Sequence, residues 1–326
     1  MMSQKEILLA TQNLTKEYQL KNNFGIRKKQ VVHAVSDVSI DIYKGETLSL
    51  VGESGCGKST LGRMLLRLIE PTSGQILFDG RDITICSEKE MNQVYQRIQM
   101  IFQDPYASLD PRMKVRDLIA EPLVTHNICR TKEERKSKVK ELMHMVGIRP
   151  ELIDRYPHQF SGGQRQRIGI ARALALHPEL IVCDEPVSAL DVSIQSQILN
   201  LLKDLQQEFH LTYLFISHDL GVVHYISDRI CVMFLGKVCE IGDTEEIYEN
   251  PMHPYTSFLL QAVPSMDPEN QPKREHILTG EIPSAVNPPS GCRFRTRCPY
   301  AKEVCKEKEP ELKKYGSRKV ACHFML

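Results

Sequence analysis

The chain has 326 residues, which is enough for one large domain with an appendage or for two domains. Hydrophobic residues make up 41% and charged residues 25% of it, as in ordinary soluble proteins, and the formal net charge of +1 argues against a nucleic-acid binder of the general electrostatic kind. The first residues, MMSQKEILLATQNLTKEY, lack the apolar core of a signal peptide, and no run of about 18 apolar residues predicts a membrane span. We therefore expect a protein of the reducing cytosol, where disulfides rarely persist.

Short apolar runs and helical patterns alternate along the first part of the chain. The runs that predict buried strands are residues 46–51, 179–186, 211–217 and 229–235. One helix is predicted over 131–146, because Thr131 and Glu134 have capping-box spacing and Gly147 follows the last apolar position. A second is predicted over 191–208, with Asp191 as its N-cap. This alternation predicts an α/β fold with a mostly parallel sheet core.

Two stretches depart from the alternation and suggest the domain organisation. Residues 104–178 have helical patterns only, which predicts a helical subdomain inserted into a domain spanning 1–250. Prolines recur from Pro251 onward, which predicts an extended tail, so we expect residues 251–326 to form a proline-rich, cysteine-containing C-terminal extension.

Residues 52–59, GESGCGKS, match the G-x-x-x-x-G-K-[ST] pattern of a phosphate-binding loop directly after a predicted strand. Glycines let the backbone curl so that N–H groups point at phosphate oxygens, and Lys58 supplies a cation for the β and γ phosphates. The Ser59 hydroxyl is a ligand for Mg²⁺, and the helix that follows adds its positive dipole end. The sequence therefore predicts a P-loop NTPase-type nucleotide site.

A pair of carboxylates follows another predicted strand, in LIVCDE. Ligands of open α/β sheets collect at the carboxyl ends of strands, so Asp184 is expected to hold Mg²⁺, directly or through water. Glu185 is then free to orient or deprotonate a water that attacks the γ phosphate.

The segment FSGGQRQR, residues 160–167, predicts a second anion cradle at a helix N-terminus, formed by Ser161, Gly162 and Gly163. The chain thus has two predicted anion-binding sites but only one phosphate-binding loop with a lysine. This suggests that the second site binds the nucleotide held by a neighbouring subunit. With these motifs the chain resembles the nucleotide-binding subunit of an ATP-binding-cassette (ABC) transporter, whose signature motif closes over the ATP of a second such subunit. Phe160 stands where leucine commonly opens that signature, at an apolar packing position.

The resemblance implies a complete set of site residues. Glu185 and His218 are the catalytic residues it implies, His218 in FISHDL being similar to the histidine that contacts the γ phosphate. Mg²⁺ is implied at Ser59, Gln103 and Asp184, Gln103 being similar to the loop glutamine that also senses the membrane partner. The residues implied to bind the nucleotide are Tyr18, Gly52, Glu53, Ser54, Gly55, Cys56, Gly57, Lys58, Ser59, Thr60, Gln103, Ser161, Gly162, Gly163, Gln164 and Asp191. Tyr18 is the expected adenine-stacking aromatic, although the segment 19–31 is longer than the usual connection and an edge-strand aromatic remains the alternative.

Several longer segments resemble the ATPases of dipeptide and oligopeptide uptake, among them FQDPYASLDPR, RYPHQFSGGQRQRI, HPYTSFLLQAVP and the tail GEIPSAVNPPSGCRFRTRCPYAKEVC. The resemblance is to the second of two ATPase subunits. It implies a heterodimer with a homologous ATPase, two membrane-spanning permease subunits, an extracytoplasmic solute-binding protein, no nucleic acid, and a place on the cytoplasmic face of the cell membrane. Other solutes, such as metal chelates or glutathione, and a soluble cassette ATPase outside transport are the alternatives.

Four cysteines lie in the extension, at Cys292, Cys298, Cys305 and Cys322. They are too widely spaced for the usual paired zinc pattern, but four thiolates can enclose an iron–sulfur cube. Arg293, Arg295, Arg297 and Lys302 lie among them and would offset the charge of such a site, although the three arginines could equally form a solvated face. The tail is similar to ones that hold a [4Fe–4S] cluster; Zn²⁺, with His323 as a substitute ligand, and incidental thiols are the alternatives. The remaining cysteines are expected to be small apolar side chains.

Overall fold

The structure is a computed structural model that describes residues 6–20, 30–262 and 281–326. Its strands are β1 Ile7–Gln19, β2 Val31–Val38, β3 Asp41–Tyr43, β4 Thr47–Val51, β5 Ser73–Phe78, β6 Arg81–Asp82, β7 Ile98–Ile101, β8 Leu180–Asp184, β9 Thr212–Ile216, β10 Arg229–Phe234, β11 Lys237–Asp243, β12 Lys313–Tyr315 and β13 Arg318–Val320. Its helices are α1 Lys58–Leu65, α2 Glu88–Arg97, α3 Val115–Thr125, α4 Lys132–Met145, α5 Gly162–Leu174, α6 Val192–Phe209, α7 Leu220–Ile226, α8 Thr244–Glu249, α9 Pro254–Gln261 and α10 Glu303–Glu307. Two short 3₁₀ helices span Pro150–Asp154 and Pro157–Gln159.

The chain divides into two compact units, the first of residues 1–85 and 217–326 and the second of residues 86–216. None of the helices in the described part of the chain is long and apolar enough to cross a membrane.

Two sheets form the first unit. In one of them β4 pairs with β10 in parallel, and β11, β13 and β12 continue from β10 as antiparallel neighbours. All five residues of β4 are buried, as the apolar run at 46–51 predicted. The other sheet is antiparallel, with β1 between β2 and β3 on one side and β5 on the other.

The C-terminal residues contribute to the first sheet instead of forming only an extended tail. Glu240 and Ile241 of β11 pair with Val320 and Lys319 of β13. A buried cluster joins this sheet to the extension, with Phe234 from β10, Tyr255 from α9 and Phe294 from the cysteine-containing segment. The last 46 described residues, 281–326, thus share a hydrophobic core with the cassette strands.

The second unit contains three parallel strands, ordered β7–β8–β9, and the helices α2 to α6. Helix α4 begins as predicted, because the Thr131 hydroxyl accepts a hydrogen bond from the Glu134 N–H, at 3.1 Å. The Glu134 carboxylate reaches back to the N–H of Arg130, one residue before the N-cap, so the capping box is incomplete. Gly147 follows α4 with a left-handed φ of 69°.

Helices α3, α4 and α5 pack on one another within residues 104–178, where the described chain has no strand. Helix α6 begins after Asp191, as predicted, and buries Ile198, Leu202 and Leu205 on one face. The strand and helix positions therefore agree with the predicted P-loop NTPase-type α/β class, while the domain boundaries drawn from composition stay predictions.

Candidate functional site

The phosphate-binding loop leaves β4 at Gly52 and ends where α1 begins, after Gly57. Both glycines have positive φ, 148° and 103°. A Cβ at Gly52 would lie 2.1 Å from the carbonyl oxygen of Met233, and one at Gly57 would lie 2.2 Å from that of Ala34. Only glycine fits at either position, because both the backbone conformation and the space exclude a side chain.

Lys58, the first residue of α1, is buried, with 5% of its surface exposed. Its Nζ donates to the carbonyl oxygens of Gly52, at 2.7 Å, and of Glu53, at 3.1 Å. The ammonium thus lies over the loop, where phosphate oxygens could replace these carbonyls. Burial raises the pKa of the neighbouring Cys56 thiol, an effect that the Lys58 charge opposes.

His218 lies in the same unit as the loop and is exposed. The residue before it, Ser217, donates its backbone N–H to the carbonyl oxygen of Leu50 in β4, at 3.2 Å. The residue after it, Asp219, accepts from the N–H of Val222 and caps α7. These two contacts hold the histidine backbone beside the strand that leads into the loop.

Tyr18 is the other site residue predicted in this unit. It lies near the end of β1 with 37% of its surface exposed, and the Lys16 ammonium is 5.1 Å from the centre of its ring. An exposed ring face suits the predicted stacking role and an edge-strand aromatic equally well. Most of the long connection that follows it lies outside the described residues.

The second unit holds the carboxylate pair. Asp184 ends β8 fully buried, and Glu185 follows it with a left-handed φ of 46°, which is uncommon outside glycine. Gln103 follows the neighbouring parallel strand β7, and its Nε2 donates to the Glu185 carboxylate at 2.9 Å. The structure therefore brings two of the predicted site residues together at the carboxyl end of adjacent strands.

The signature segment forms the start of α5. Ser161 is the N-cap and makes a full capping box with Gln164, the two hydrogen bonds being 3.4 and 3.0 Å long. A Cβ on Gly163 would lie 2.5 Å from Cγ2 of Ile194, so glycine is needed for the close approach of α5 to α6. Phe160 is 5% exposed, as expected of a packing position.

The segment between Glu185 and α6 completes the predicted set. The Ser188 hydroxyl donates to the Glu185 carbonyl oxygen at 3.1 Å, and Asp191 is the N-cap residue of α6 by position, although its side chain makes no capping hydrogen bond. Ser188 and Asp191 are both exposed, as a surface that meets another molecule requires.

The four cysteines of the extension converge. Cys292, Cys298, Cys305 and Cys322 line one small pocket. The Cys292 N–H donates to the Cys305 carbonyl oxygen at 2.8 Å. Gly291, with a φ of 62°, allows this approach, since a Cβ there would lie 2.4 Å from the same oxygen.

The donor set of this pocket suits a soft metal centre, because thiolates favour zinc and iron–sulfur clusters. Burial raises the pKa of Cys292 to about 11, and it raises the pKa values of Cys298 and Cys322 as well, so the three thiols are protonated without a cation. Across residues 6–20, 30–262 and 281–326, however, no group of three or more His, Cys, Asp or Glu side chains is arranged to hold a metal ion. The pocket therefore has the chemistry for a metal but not the arrangement.

Two of the arginines between the cysteines, Arg293 and Arg297, do not belong to a solvated face, whereas the hydrogen bonds of Arg295 to Ser290 lie on the exposed surface. Arg293 donates to the Leu235 carbonyl oxygen and to the Ser36 hydroxyl. Arg297 is 6% exposed and pairs with the carboxylate of Glu53, in the phosphate-binding loop. Sequence reasoning missed this contact, because the partners are 244 residues apart and no local pattern connects them.

Family models match two parts of the chain, an ABC transporter model over residues 35–188 and an oligopeptide/dipeptide transporter C-terminal region model over residues 239–305. The chain is 56% identical to the oligopeptide transport ATP-binding protein AppF of Bacillus subtilis and 48% identical to the di/tripeptide transport ATP-binding protein DppF of Pseudomonas aeruginosa, each over 98% of both chains.

Two solved structures are also similar. The ATP-binding cassette MJ0796, solved as a dimer in a post-hydrolysis state bound to ADP and Pi, is 29% identical with a TM-score of 0.65, covering 72% of this chain and 98% of that one. The cassette cbiO1 of Clostridium perfringens, part of the complex cbiONQ, is 29% identical with a TM-score of 0.64, covering 75% and 92%.

Proposed function

Because this chain belongs to the family of ABC transporter ATP-binding subunits, we propose that it powers the import of oligopeptides or dipeptides. As a member of the family it is an ATPase that binds ATP and Mg²⁺, dimerises with an ATPase and works with membrane permeases. The observation that carries the peptide assignment is the match of residues 239–305 to the C-terminal region of oligopeptide/dipeptide transporters. Metal chelates and glutathione are the competing solutes, and a soluble cassette ATPase outside transport is the remaining alternative.

In the proposed site, ATP binds to the loop from Gly52 to Thr60. Lys58 exchanges its two carbonyl acceptors for oxygens of the β and γ phosphates, and the loop N–H groups complete the cradle. The Tyr18 ring stacks on adenine and His218 contacts the γ phosphate. Ser59, Gln103 and Asp184 would hold the Mg²⁺ ion, which would neutralise charge on the phosphates.

Hydrolysis depends on Glu185. Its carboxylate is held by the Gln103 amide, which leaves it positioned to orient or deprotonate the attacking water. Gln103 thus connects Glu185, the proposed base, to the helical segment 104–178 that faces the permease. The exposed side chains of Phe102 and Tyr106 lie close to it in sequence. The helical segment 104–178 carries the docking surface for the permease.

ATP acts between two subunits in this proposal. The signature residues Ser161, Gly162, Gly163 and Gln164, with Asp191, close on the nucleotide of a second, non-identical ATPase, whose own signature closes on the ATP at Lys58. Closure pulls on two permease subunits at the cytoplasmic face of the membrane, an external binding protein delivers the solute, and charge separation after hydrolysis reopens the pair. The capped, exposed N-terminus of α5 supports this role, since its N–H groups can bind an anion.

Uptake measurements in intact cells test the peptide assignment. Cells in which Lys58→Ala replaces the wild-type chain should lose accumulation of labelled peptides of two to five residues, while an unrelated carrier's solute accumulates normally. Loss of glutathione or metal-chelate uptake with normal peptide uptake would reassign the solute. Normal uptake of all three would refute a role in importing any of them.

For the extension, the proposed cofactor is a [4Fe–4S] cluster on Cys292, Cys298, Cys305 and Cys322. Support comes from the convergence of the four thiols on one pocket and from the number of cysteines that such clusters need. A bound cluster would cross-link the chain segments that carry the four cysteines, and no step of ATP hydrolysis depends on it.

Metal analysis of anaerobically purified protein tests this cofactor, alongside the Cys298→Ser variant. About four irons and four sulfides per chain, lost in the variant, are expected. One zinc per chain without sulfide would show that the cysteines bind zinc and not an iron–sulfur cluster. The absence of any metal would leave the four thiols without a cofactor.

A further inference from the structure

Glu53, the second residue of the phosphate-binding loop, is held by two side chains from beyond residue 250. Its carboxylate accepts from Nη1 of Arg297 through both oxygens, at 3.0 and 2.7 Å. Its backbone N–H donates to the hydroxyl of Tyr255, at 3.0 Å. We propose that Arg297, together with Tyr255, positions the phosphate-binding loop, so that the C-terminal extension sets the affinity of the chain for ATP.

The contacts of Arg297 and Tyr255 with Glu53 are largely buried. Arg297 is 6% and Glu53 21% exposed, so the ion pair is largely shielded from water. Tyr255 is fully buried and packs on Phe234 and Phe294, with ring centres 4.8 and 5.2 Å away. The hydroxyl that meets the loop is therefore fixed by a rigid aromatic cluster.

Glu53 is also hydrogen-bonded to Lys58, the residue proposed to bind the phosphates. Its carbonyl oxygen accepts from Lys58 Nζ at 3.1 Å and from the Cys56 N–H at 3.2 Å. With the N–H and the carboxylate both held, the Glu53 peptide cannot rotate without breaking a buried contact. Arg297 thus acts on Lys58 and on the curl of the loop through Glu53.

The Arg297–Glu53 ion pair should also affect ATP binding through its charges. A carboxylate in a loop that receives a polyphosphate repels it, and the repulsion is strong where water is scarce. Arg297 neutralises Glu53 in place. Removing Arg297 should therefore weaken ATP binding twice, once by freeing the loop and once by leaving an uncompensated negative charge.

Arg297 is a positioning residue in this proposal, which rests on the proposed ATP site, so the test separates binding from chemistry. Equilibrium binding of a fluorescent ATP analogue and the KM and kcat of ATP hydrolysis would be measured on the full chain. Arg297→Met should raise the dissociation constant and KM about tenfold, the loss expected from one hydrogen bond to a charged group, with kcat within about twofold. Arg297→Lys should restore most of the affinity.

A double variant distinguishes positioning from mere folding of the extension. Adding Glu53→Gln to Arg297→Met removes the uncompensated charge, so KM should return to within about threefold of wild type. Lys319→Met is the matched control, because it breaks an ion pair between the extension and Asp41 of β3, away from the loop. It should leave KM unchanged.

Each outcome decides the proposal. A folded Arg297→Met protein with wild-type KM, an equal rise in Lys319→Met, or no recovery in the double variant would overturn it. Should Arg297→Met fail to fold, Tyr255→Phe removes only the hydroxyl and should still raise KM about threefold; an unchanged KM there overturns the proposal. A wild-type chain that binds no ATP would instead refute the proposed function itself.

Discussion

Replacing Phe294 by alanine should weaken the packing of the extension on β10 and α9 and destabilise the first unit. The side chain is 1% exposed and its ring lies between 5.2 and 6.3 Å from those of Tyr255, Phe234, His253 and Phe258. Truncation of a buried phenylalanine costs about 3–5 kcal/mol, and the upper half applies here because edge-on and tilted ring contacts are lost as well. Since about 1 kcal/mol shifts the Tm of a domain of this size by about 2–4 °C, the Tm should fall by about 10 °C.

Differential scanning calorimetry on reduced, metal-free protein measures this effect without a contribution from a bound metal. Tyr300→Ala is the control, because Tyr300 lies in the same segment but is 51% exposed. Its Tm should change by no more than about 2 °C, as for an ordinary surface substitution. If Phe294→Ala melted within 2 °C of this control, the extension would not share a core with β10 and the packing argument would be wrong.

Three further predictions follow from the described residues. Glu185→Gln should reduce ATP hydrolysis by about 10²–10⁴-fold, because the general base is lost, while a fluorescent ATP analogue still binds; a loss below tenfold would exclude Glu185 as the base. His253 is buried in its neutral form, with its pKa lowered to about 4 by burial, so the unfolded chain binds a proton at a higher pH than the folded chain does. The free energy of unfolding should therefore fall as the pH drops from about 6.5 towards 4, by about 3 kcal/mol at most. Urea unfolding of His253→Asn should show a weaker decline with pH, and parallel pH curves for the variant and the wild type would contradict this. Gly291→Ala should destabilise the chain by about 1–3 kcal/mol in urea unfolding, because its Cβ meets the Cys305 carbonyl oxygen at a left-handed φ; a neutral substitution would show that this approach does not form.

Sequence reasoning located the helices and strands that flank the predicted motifs of contiguous residues, while the roles of those residues stay predictions. The loop 52–59, the signature 160–167 and the pair Asp184 and Glu185 each follow or precede a helix or strand that its own pattern predicts. The contact between Gln103 and Glu185 was not predicted, because strand β7, which leads to Gln103, was not among the strands predicted from the sequence.

The N-terminal antiparallel sheet was not predicted, and the reason is local. Strand β1 has buried residues at irregular spacing, and its pairing with β2 shifts register twice. An irregular strand lacks the alternation by which a half-buried strand is recognised. The strands within residues 281–326 were not predicted for a related reason. β12 and β13 have only three residues each, too few to show a pattern, and β13 is held in place by pairing with β11.

By itself, the sequence determined the nucleotide-binding chemistry of this protein, because glycine conformations, a lysine and helix N-termini act within a few residues of one another. Tertiary structure decided that Cys322 lines the same pocket as Cys292, Cys298 and Cys305, and that Arg297 pairs with Glu53. Contacts of this kind depend on how strands and helices pack across the whole chain, and packing leaves no periodic signal in the residues that it brings together.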